Sequence, residues 1–541
     1  MPSPALLLLC LALVTAILYW RRPDAFYNPQ LWAEDGSRFF TGVNFHGLET
    51  LVTPYAGYYH TYARLVALAG ALVPYRLIPH FYGVCSYCVI ALTVCYVFSR
   101  RLSAASGVRL AMGLAVVATT VGNEVFLNLA NAGFLLALAW LLLAIADEPV
   151  RRSQAALDLA LLALVGLSSP FAVCLWPLFG LRYITRRTRH SALLLAASLV
   201  VALVQVWNMP TRVPTGTAVP PWTPLYADAL ISRFGYVFLG QRILDLPMTD
   251  ALRVAGTVVV VSITGWLLGQ GIRRRNWAMV TMLAGSILAA LLSTYVMRNA
   301  LPALVRTADR HFFVPAVSFA WALILWRPRP EPVKWLPLGM ILVAFLFLTP
   351  ASKGQVLPDL NWAAQVDACA NNGPVCTIPI NPITVPQAWI AVIRVRTFAV
   401  PEMQTQFMST SGDSLELLGF DMAQDQTLWR STLVWRTVTE MREDYRLSLC
   451  LVDDARPDRI VARADISPFE GRLPTSAWEA DEVILLPVEL ALEDVEPGRY
   501  QVRMGWHSSV GAEEPRLPAY KASGQRWSAD LIVLPTVVVV P

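Results

Sequence analysis

Pro4-Ala5-Leu6-Leu7-Leu8-Leu9-Cys10-Leu11-Ala12-Leu13-Val14-Thr15-Ala16-Ile17-Leu18-Tyr19-Trp20 is an apolar run without a charge. With slight tilt or help from its flanks it is long enough to cross a bilayer. No basic segment precedes it and no small-x-small cleavage site follows, so it reads as an uncleaved first helix, not a signal peptide. Ten further apolar segments follow at about 76–99, 107–122, 126–146, 155–168, 170–184, 190–208, 250–270, 277–296, 311–326 and 335–350. The expectation is an α-helical polytopic membrane protein of about 11 transmembrane helices. The apolar 56–75 stretch, with Tyr58, Tyr59, His60, Tyr62 and Arg64, is expected to lie as a helix at the membrane interface.

Composition supports a membrane chain. Of 541 residues, 55% are hydrophobic and 15% charged, where a soluble domain carries about 25% charged. Charge is also divided. Residues 1–350 hold 27 Lys and Arg against 13 Asp and Glu, whereas 351–541 hold 16 against 25. Two modules follow from that split. The basic excess sits in short loops beside apolar helices and calls for no nucleic-acid partner.

Loop charge sets the expected orientation. Arg100, Arg101 and Arg109; Arg151 and Arg152; Arg182, Arg186, Arg187 and Arg189; Arg273 to Arg275; and Arg327, Arg329 and Lys334 fall in alternate loops. By the positive-inside rule those loops are cytoplasmic. The N-terminus is then cytoplasmic, and loop 21–75 and everything after 350 lie outside the inner (plasma) membrane. Arg21 and Arg22 run against this count.

The outside loops hold the uncommon polar residues. Leu31-Trp32-Ala33-Glu34-Asp35-Gly36-Ser37-Arg38-Phe39-Phe40 places two adjacent carboxylates just beyond the first helix. A carboxylate in a partly desolvated loop suits a general base that takes a hydroxyl proton. Asp35-Gly36 also reads simply as a turn with an exposed acid. Arg306-Thr307-Ala308-Asp309-Arg310-His311-Phe312-Phe313 enters a late helix, where an arginine fork suits a phosphate or merely snorkels to the interface. Arg233, Arg242 and Arg298 are weaker candidates of the same kind, and Arg212 and Asp245 add further charges to these loops. His60 and Arg64, at i and i+4, fit a donor phosphate or a lipid headgroup. Asn128 and Asn131, at i and i+3, are expected on one helix face, to bind substrate or to join helices. His311 is a further substrate-binding candidate. No second ligand at helical spacing makes it a metal site.

An acid in the first outside loop, in the form Trp-x-Glu-Asp-Gly, followed by interfacial residues and a late Arg-aromatic-aromatic run, resembles the GT-C superfamily of membrane glycosyltransferases, bacterial type. The motif is five residues long; the likeness in architecture covers about 350. The resemblance implies an inverting transferase that moves a sugar from a polyprenyl-phosphate carrier to a cell-envelope glycan or glycolipid on the outer membrane face. Asp35 would be the base, with Glu34 the other candidate, and Arg310 the first choice for the donor phosphate. A divalent Mg or Mn ion is a possible companion in such enzymes. The competing class is a polytopic lipid or glycan transporter without bond-making chemistry.

After 350, alternating apolar and polar residues with turns such as Glu496-Pro497-Gly498 predict an extracytoplasmic all-β sandwich over 395–541. Residues 1–350 form the expected transmembrane domain and 351–394 a connector. There Cys369 and Cys376 flank Asn371-Asn372-Gly373-Pro374 and are expected to close a disulfide in an oxidising compartment. Trp429, Trp435, Trp478 and Trp506 would either stack on sugars or fill the core.

Overall fold

The computed structural model describes residues 3–208, 227–228, 231, 249–297, 309–326, 336–347, 356–369, 375–383 and 388–394. From 405 to 540 it describes all except 410–411, 425–426, 472–473 and 509–515. The chain divides into two compact units. One comprises residues 1–35 and 48–360; the other comprises 36–47 and 361–541.

The first unit is helical. Five of its helices, among the described residues, are long and apolar enough to cross a membrane by length and composition. They are Pro4–Arg21, Tyr75–Val97, Arg189–Trp207, Asp250–Arg273 and Trp277–Val296. Ser106–Ala118, Ala132–Ile145 and Arg310–Leu325 are shorter apolar helices. The short helices Ala132–Ile145 and Phe313–Leu325 are buried on nearly every side, which is why they are apolar all round. Several of the long helices show large apolar side chains to the exterior, such as Leu8, Leu9, Leu199, Leu203, Val258 and Val261. An exposed apolar surface of this extent, on helices of spanning length, is that of a membrane domain. The 170–184 segment is broken, with helices at Ala172–Leu175 and Pro177–Arg186. The 56–75 stretch supplies a helix, Thr61–Gly70, that buries Ala63, Arg64, Val66 and Ala67.

Buried arginines close the ends of helices. The last carbonyls of a helix have no partner within it, and in an apolar bundle water cannot supply one. Arg21 donates to the carbonyls of Val117 (2.8 Å) and Thr119 (2.7 Å), at the end of Ser106–Ala118, and lies 4.6 Å from the centroid of the Phe126 ring. Arg109 donates to Val97, Ser99, Leu102 and Ala104, at and beyond the end of Ile78–Val97. Arg182 donates to Leu143, Ala144 and Ala146, at the end of Ala132–Ile145, and pairs with Glu148.

These caps also sort the helix ends. Val97, Ala146, Arg182, the Arg101–Asp158–His190 cluster and Leu325 lie at one end of the unit, with the basic loops. Asp35, Tyr82, Asn131, Ser168, Gln205 and Ser293 belong to the other. Close approach is needed there: a Cβ on Gly133 would sit 2.5 Å from the Ser168 carbonyl oxygen.

Among the described residues the second unit has two larger antiparallel sheets, in the order β12-β10-β7-β8 and β11-β3-β4-β6-β5 with β9 also paired to β6, and the two-stranded pair β1-β2. Its strands are β3 (Thr405–Met408), β4 (Ser414–Phe420), β5 (Ala423–Gln424), β6 (Leu428–Thr437), β7 (Tyr445–Asp453), β8 (Ile460–Ile466), β9 (Val483–Ala491), β10 (Gly498–Ser508), β11 (Ala519–Tyr520) and β12 (Ile532–Val540), after β1 (Val375–Ile383) and β2 (Ala388–Arg394). Inward residues of both sheets share one apolar core, a sandwich-like arrangement. Trp429, Trp435, Trp478 and Trp506 are all 0% exposed, and Trp506 packs edge-on against Trp435 and Trp478. They fill the core, and the sugar-stacking alternative for them is excluded.

β1 and β2 form a separate antiparallel pair, beside which Cys369 and Cys376 are joined as a disulfide. Residues 36–47 join this unit. The Thr41 hydroxyl accepts the Val392 N–H at 2.9 Å, Arg436 contacts His46 at 3.0 Å, and Phe45 packs with Val392, Val434, Val483 and Leu485.

Candidate active site

Trp32 begins the turn that presents the acids. Ala33 takes a positive φ of 39°, strained for a residue with a side chain, and the Asp35 N–H donates to the Trp32 carbonyl at 2.7 Å. From Asp35 to Phe40 the chain is a short π-helix, a form that recurs at functional sites. Glu34 is half-buried. Asp35 is 1% exposed.

Both oxygens of Asp35 are engaged. Oδ1 accepts the Ala130 N–H at 2.6 Å and Oδ2 the Leu129 N–H at 3.2 Å. Burial pushes its carboxyl up to about 7, against the lowering effect of those two N–H groups; the Glu34 charge adds to the rise. The Tyr82 hydroxyl is buried within electrostatic reach of this carboxylate.

The segment held by Asp35 is a knot of polar bonds. Asn128 and Asn131 both donate from Nδ2 to the backbone carbonyl of Glu124, Asn131 at 2.9 Å. The Asn128 side-chain oxygen accepts the Asn131 N–H at 2.9 Å. Neither asparagine lies on a helix as expected, because the helix begins at Ala132. Leu127, at φ 62°, turns the chain just before them, and the side-chain bonds replace a further helical turn. Gly122 (φ 79°) permits the turn, since a Cβ there would meet Phe313 at 2.8 Å.

Glu124 then reaches across to Arg310, Oε2 to Nη1, at 2.5 Å. Both side chains are about one-third exposed. His311 packs edge-on against Phe134 with ring centroids 5.8 Å apart, and its carbonyl accepts the Ser293 hydroxyl.

A third strand of the site comes from 55–64. Tyr55 and Tyr58 exchange backbone bonds, and Tyr58 stacks on His60 with ring centroids 4.0 Å apart. His60 Nε2–H donates to the Tyr55 carbonyl at 3.3 Å. Burial, then the neighbouring Arg64 charge, pushes His60 down to about 3, so it is neutral at physiological pH and adds no positive charge for a phosphate. Tyr58 is raised, first by burial and then by Glu34 and Tyr55, while Arg310 opposes. Glu34, Tyr58 and Arg310 therefore share one electrostatic environment.

Glu34, Asp35, His60, Arg64, Asn128, Asn131, Arg310 and His311 thus belong to one unit. Bonds link Asp35 to Arg310 through Leu129, Ala130, the two asparagines and Glu124. Arg212, Arg233, Arg242, Asp245, Arg298 and Arg306 lie outside the described residues. In the sequence Glu124 stands out only as one of the polar residues of the short outside turns and Tyr58 only as an interfacial residue, with no role for either, while Tyr55 and Tyr82 are not picked out. The signal for Glu124 was a lone acid in a short turn rich in asparagine.

No group of three or more His, Cys, Asp or Glu side chains among the described residues is placed to hold a metal ion. The donor set explains it: Asp35 spends both oxygens on backbone N–H groups, and Glu124 is paired with Arg310. A cavity of about 160 Å³, bounded by Asp147, Arg182, Thr185, Arg186 and Trp277, lies at the other end of this unit, away from the acids. No protein-family model matches the chain, and no curated protein matches it at a significant level.

Proposed function

We propose that this protein is an inverting glycosyltransferase of the inner membrane, taking its sugar from a polyprenyl-phosphate carrier and passing it to a cell-envelope glycan or glycolipid outside the cytoplasm. One observation carries the reading: Asp35 ties the acid pair to the loop whose Glu124 holds Arg310, so an acid and a phosphate-matching fork meet at one end of a membrane bundle. The eleven-helix topology, with a cytoplasmic N-terminus and an extracytoplasmic C-terminal unit, is part of the same proposal. The Cys369–Cys376 disulfide and the basic loops at the opposite end support it.

Roles divide by access. Glu34, the half-buried member, takes the proton of the acceptor hydroxyl as that oxygen forms its bond to the anomeric carbon. The anomeric carbon–oxygen bond breaks on the opposite side, and its electron pair leaves with the carrier phosphate. Arg310 meets the charge that develops there. Asp35, enclosed and doubly bonded, is a positioning residue that fixes the 124–131 loop. Arg64 adds a second positive charge beside neutral His60. Asn128 and Asn131 hold Glu124, and His311 packs beside them. No step is routed through a metal.

Sugar transfer in membrane vesicles tests this, using radiolabelled polyprenyl-phosphate sugars and endogenous acceptors with wild type, Glu34→Gln and Asp35→Asn at equal expression. Transfer by wild type, abolished in Glu34→Gln, is the expected result. Failure of the wild type to cleave any donor would move the reading to a lipid or glycan transporter.

A further inference from the structure

The second unit contains a cavity of about 180 Å³ that the transferase reading leaves unused. Ser37, Arg38, Trp389 of β2, Phe469, and Glu479 and Glu482 just before β9 supply its polar and aromatic walls, and aliphatic side chains of β2 and β9 supply most of the rest. All six belong to this unit. The geometry points to a binding site for a single neutral sugar ring, such as one residue of a glycan.

The chemistry of the lining selects that class. Trp389 and Phe469 both line the cavity and are half-buried, aromatic wall of the kind that packs on the C–H face of a sugar ring. Arg38, buried, pairs with exposed Glu479 at 2.7 Å. The Glu479 N–H in turn donates to Glu482 at 3.0 Å. These planar groups offer donors and acceptors side by side, the pattern that matches neighbouring hydroxyls.

Charge argues for a neutral ligand. Arg38 is balanced by Glu479, and burial raises the Glu482 carboxyl from its ordinary value while the Arg38 charge opposes that rise. An anionic ligand would have to break the Arg38–Glu479 pair, and a cationic one would compete with Arg38 itself. Size argues for one ring: at about 180 Å³ the cavity is close to the engineered protein cavity of about 150 Å³ that takes up a single benzene ring.

The test uses the full chain in detergent micelles and needs no turnover, so its failure leaves the transferase reading untouched. Saturation-transfer NMR would screen neutral methyl hexosides and methyl pentosides, with methyl glucuronide as the charged comparison and cyclohexanol as the apolar one. At least one neutral glycoside should bind, and Trp389→Ala and Glu482→Gln should each weaken it by about tenfold. Glu482→Gln keeps shape and size, so it carries the test if Trp389→Ala does not fold by circular dichroism. The proposal is overturned if no neutral glycoside binds at about 50 mM. Equal binding in the folded variants, or binding of cyclohexanol alone, would overturn it as well.

Discussion

Asp35 accepts the backbone N–H of Ala130 at 2.6 Å across 95 residues of sequence. A carboxylate held this way is both enclosed and indispensable to the loop it grips, and the two properties pull its titration in opposite directions. Burial wins, leaving the group near 7.

Stability should therefore depend on pH through Asp35. Its folded value lies above its unfolded value near 4, so the folded state holds the extra proton between those limits. The contribution is fully present below about pH 4 and is lost as pH rises to about 7, by an amount on the order of 4 kcal/mol at most. Asp35→Asn removes the titration. Thermal unfolding of wild type and variant in detergent should show wild type losing ground to Asp35→Asn between pH 4 and 7. Parallel curves across that range would mean the carboxyl does not titrate there.

Arg310 and Glu124 make a pair about one-third exposed, worth about 0–1 kcal/mol to the fold, so substitutions here should leave the chain folded. Transfer kinetics should separate them. Arg310→Ala should raise the donor KM by about ten- to a hundredfold, the cost of losing charged hydrogen bonds to a phosphate. Glu124→Gln frees the guanidinium and should leave the donor KM equal or lower. An equal rise in KM for both variants would assign the pair a purely structural role.

How much of this was legible is clear from particular residues. Apolar runs located the helices because a bundle in lipid has no other way to cover its backbone, and Trp429, Trp435 and Trp506 sit on strands whose alternation pointed to the core as one option, while Trp478 enters the same core from the end of a short 3-10 turn. Span number was less legible, since helices buried among others, such as Ala132–Ile145, need not be long. Asn128 and Asn131 were expected on a helix because the apolar run continues through them. The turn at Leu127 and their own side-chain bonds decide otherwise. Nothing local announces that Leu129 and Ala130 are the partners of Asp35, or that residues 36–47 belong with the C-terminal unit. Those are long-range pairings, and a single sequence records only short-range pattern.

The Cys369–Cys376 disulfide closes a short loop, with a sequence separation of 7. Loop-closure entropy gives about 2–3 kcal/mol for a ring of that size. Cys369→Ser should lower the thermal midpoint of the C-terminal unit by a few degrees and should make it indifferent to reductant. Mass spectrometry after alkylation of the unfolded but unreduced protein checks the premise: Cys369 and Cys376 should remain unlabelled while the other cysteines, including the buried Cys10 and Cys450, react. Labelling of both without reductant would remove the bond.

Arg21 and Arg22 oppose the orientation that the other loop arginines imply, and the structure gives each another occupation. Arg21 is fully buried on the carbonyls of Val117 and Thr119, and Arg22 pairs with Asp24 at 3.3 Å. Enclosed arginines that cap a helix answer to packing, whereas the positive-inside rule concerns cations in loops. Arg21→Gln should therefore cost stability, about 2–4 kcal/mol from stranded carbonyls and lost charged bonds, while leaving the N-terminus on its original side. Thermal unfolding measures the first effect. Labelling of a single cysteine added at the N-terminus, in intact cells against opened ones, measures the second. A reversed N-terminus in Arg21→Gln would show that this residue does set topology, and the capping account would then be insufficient.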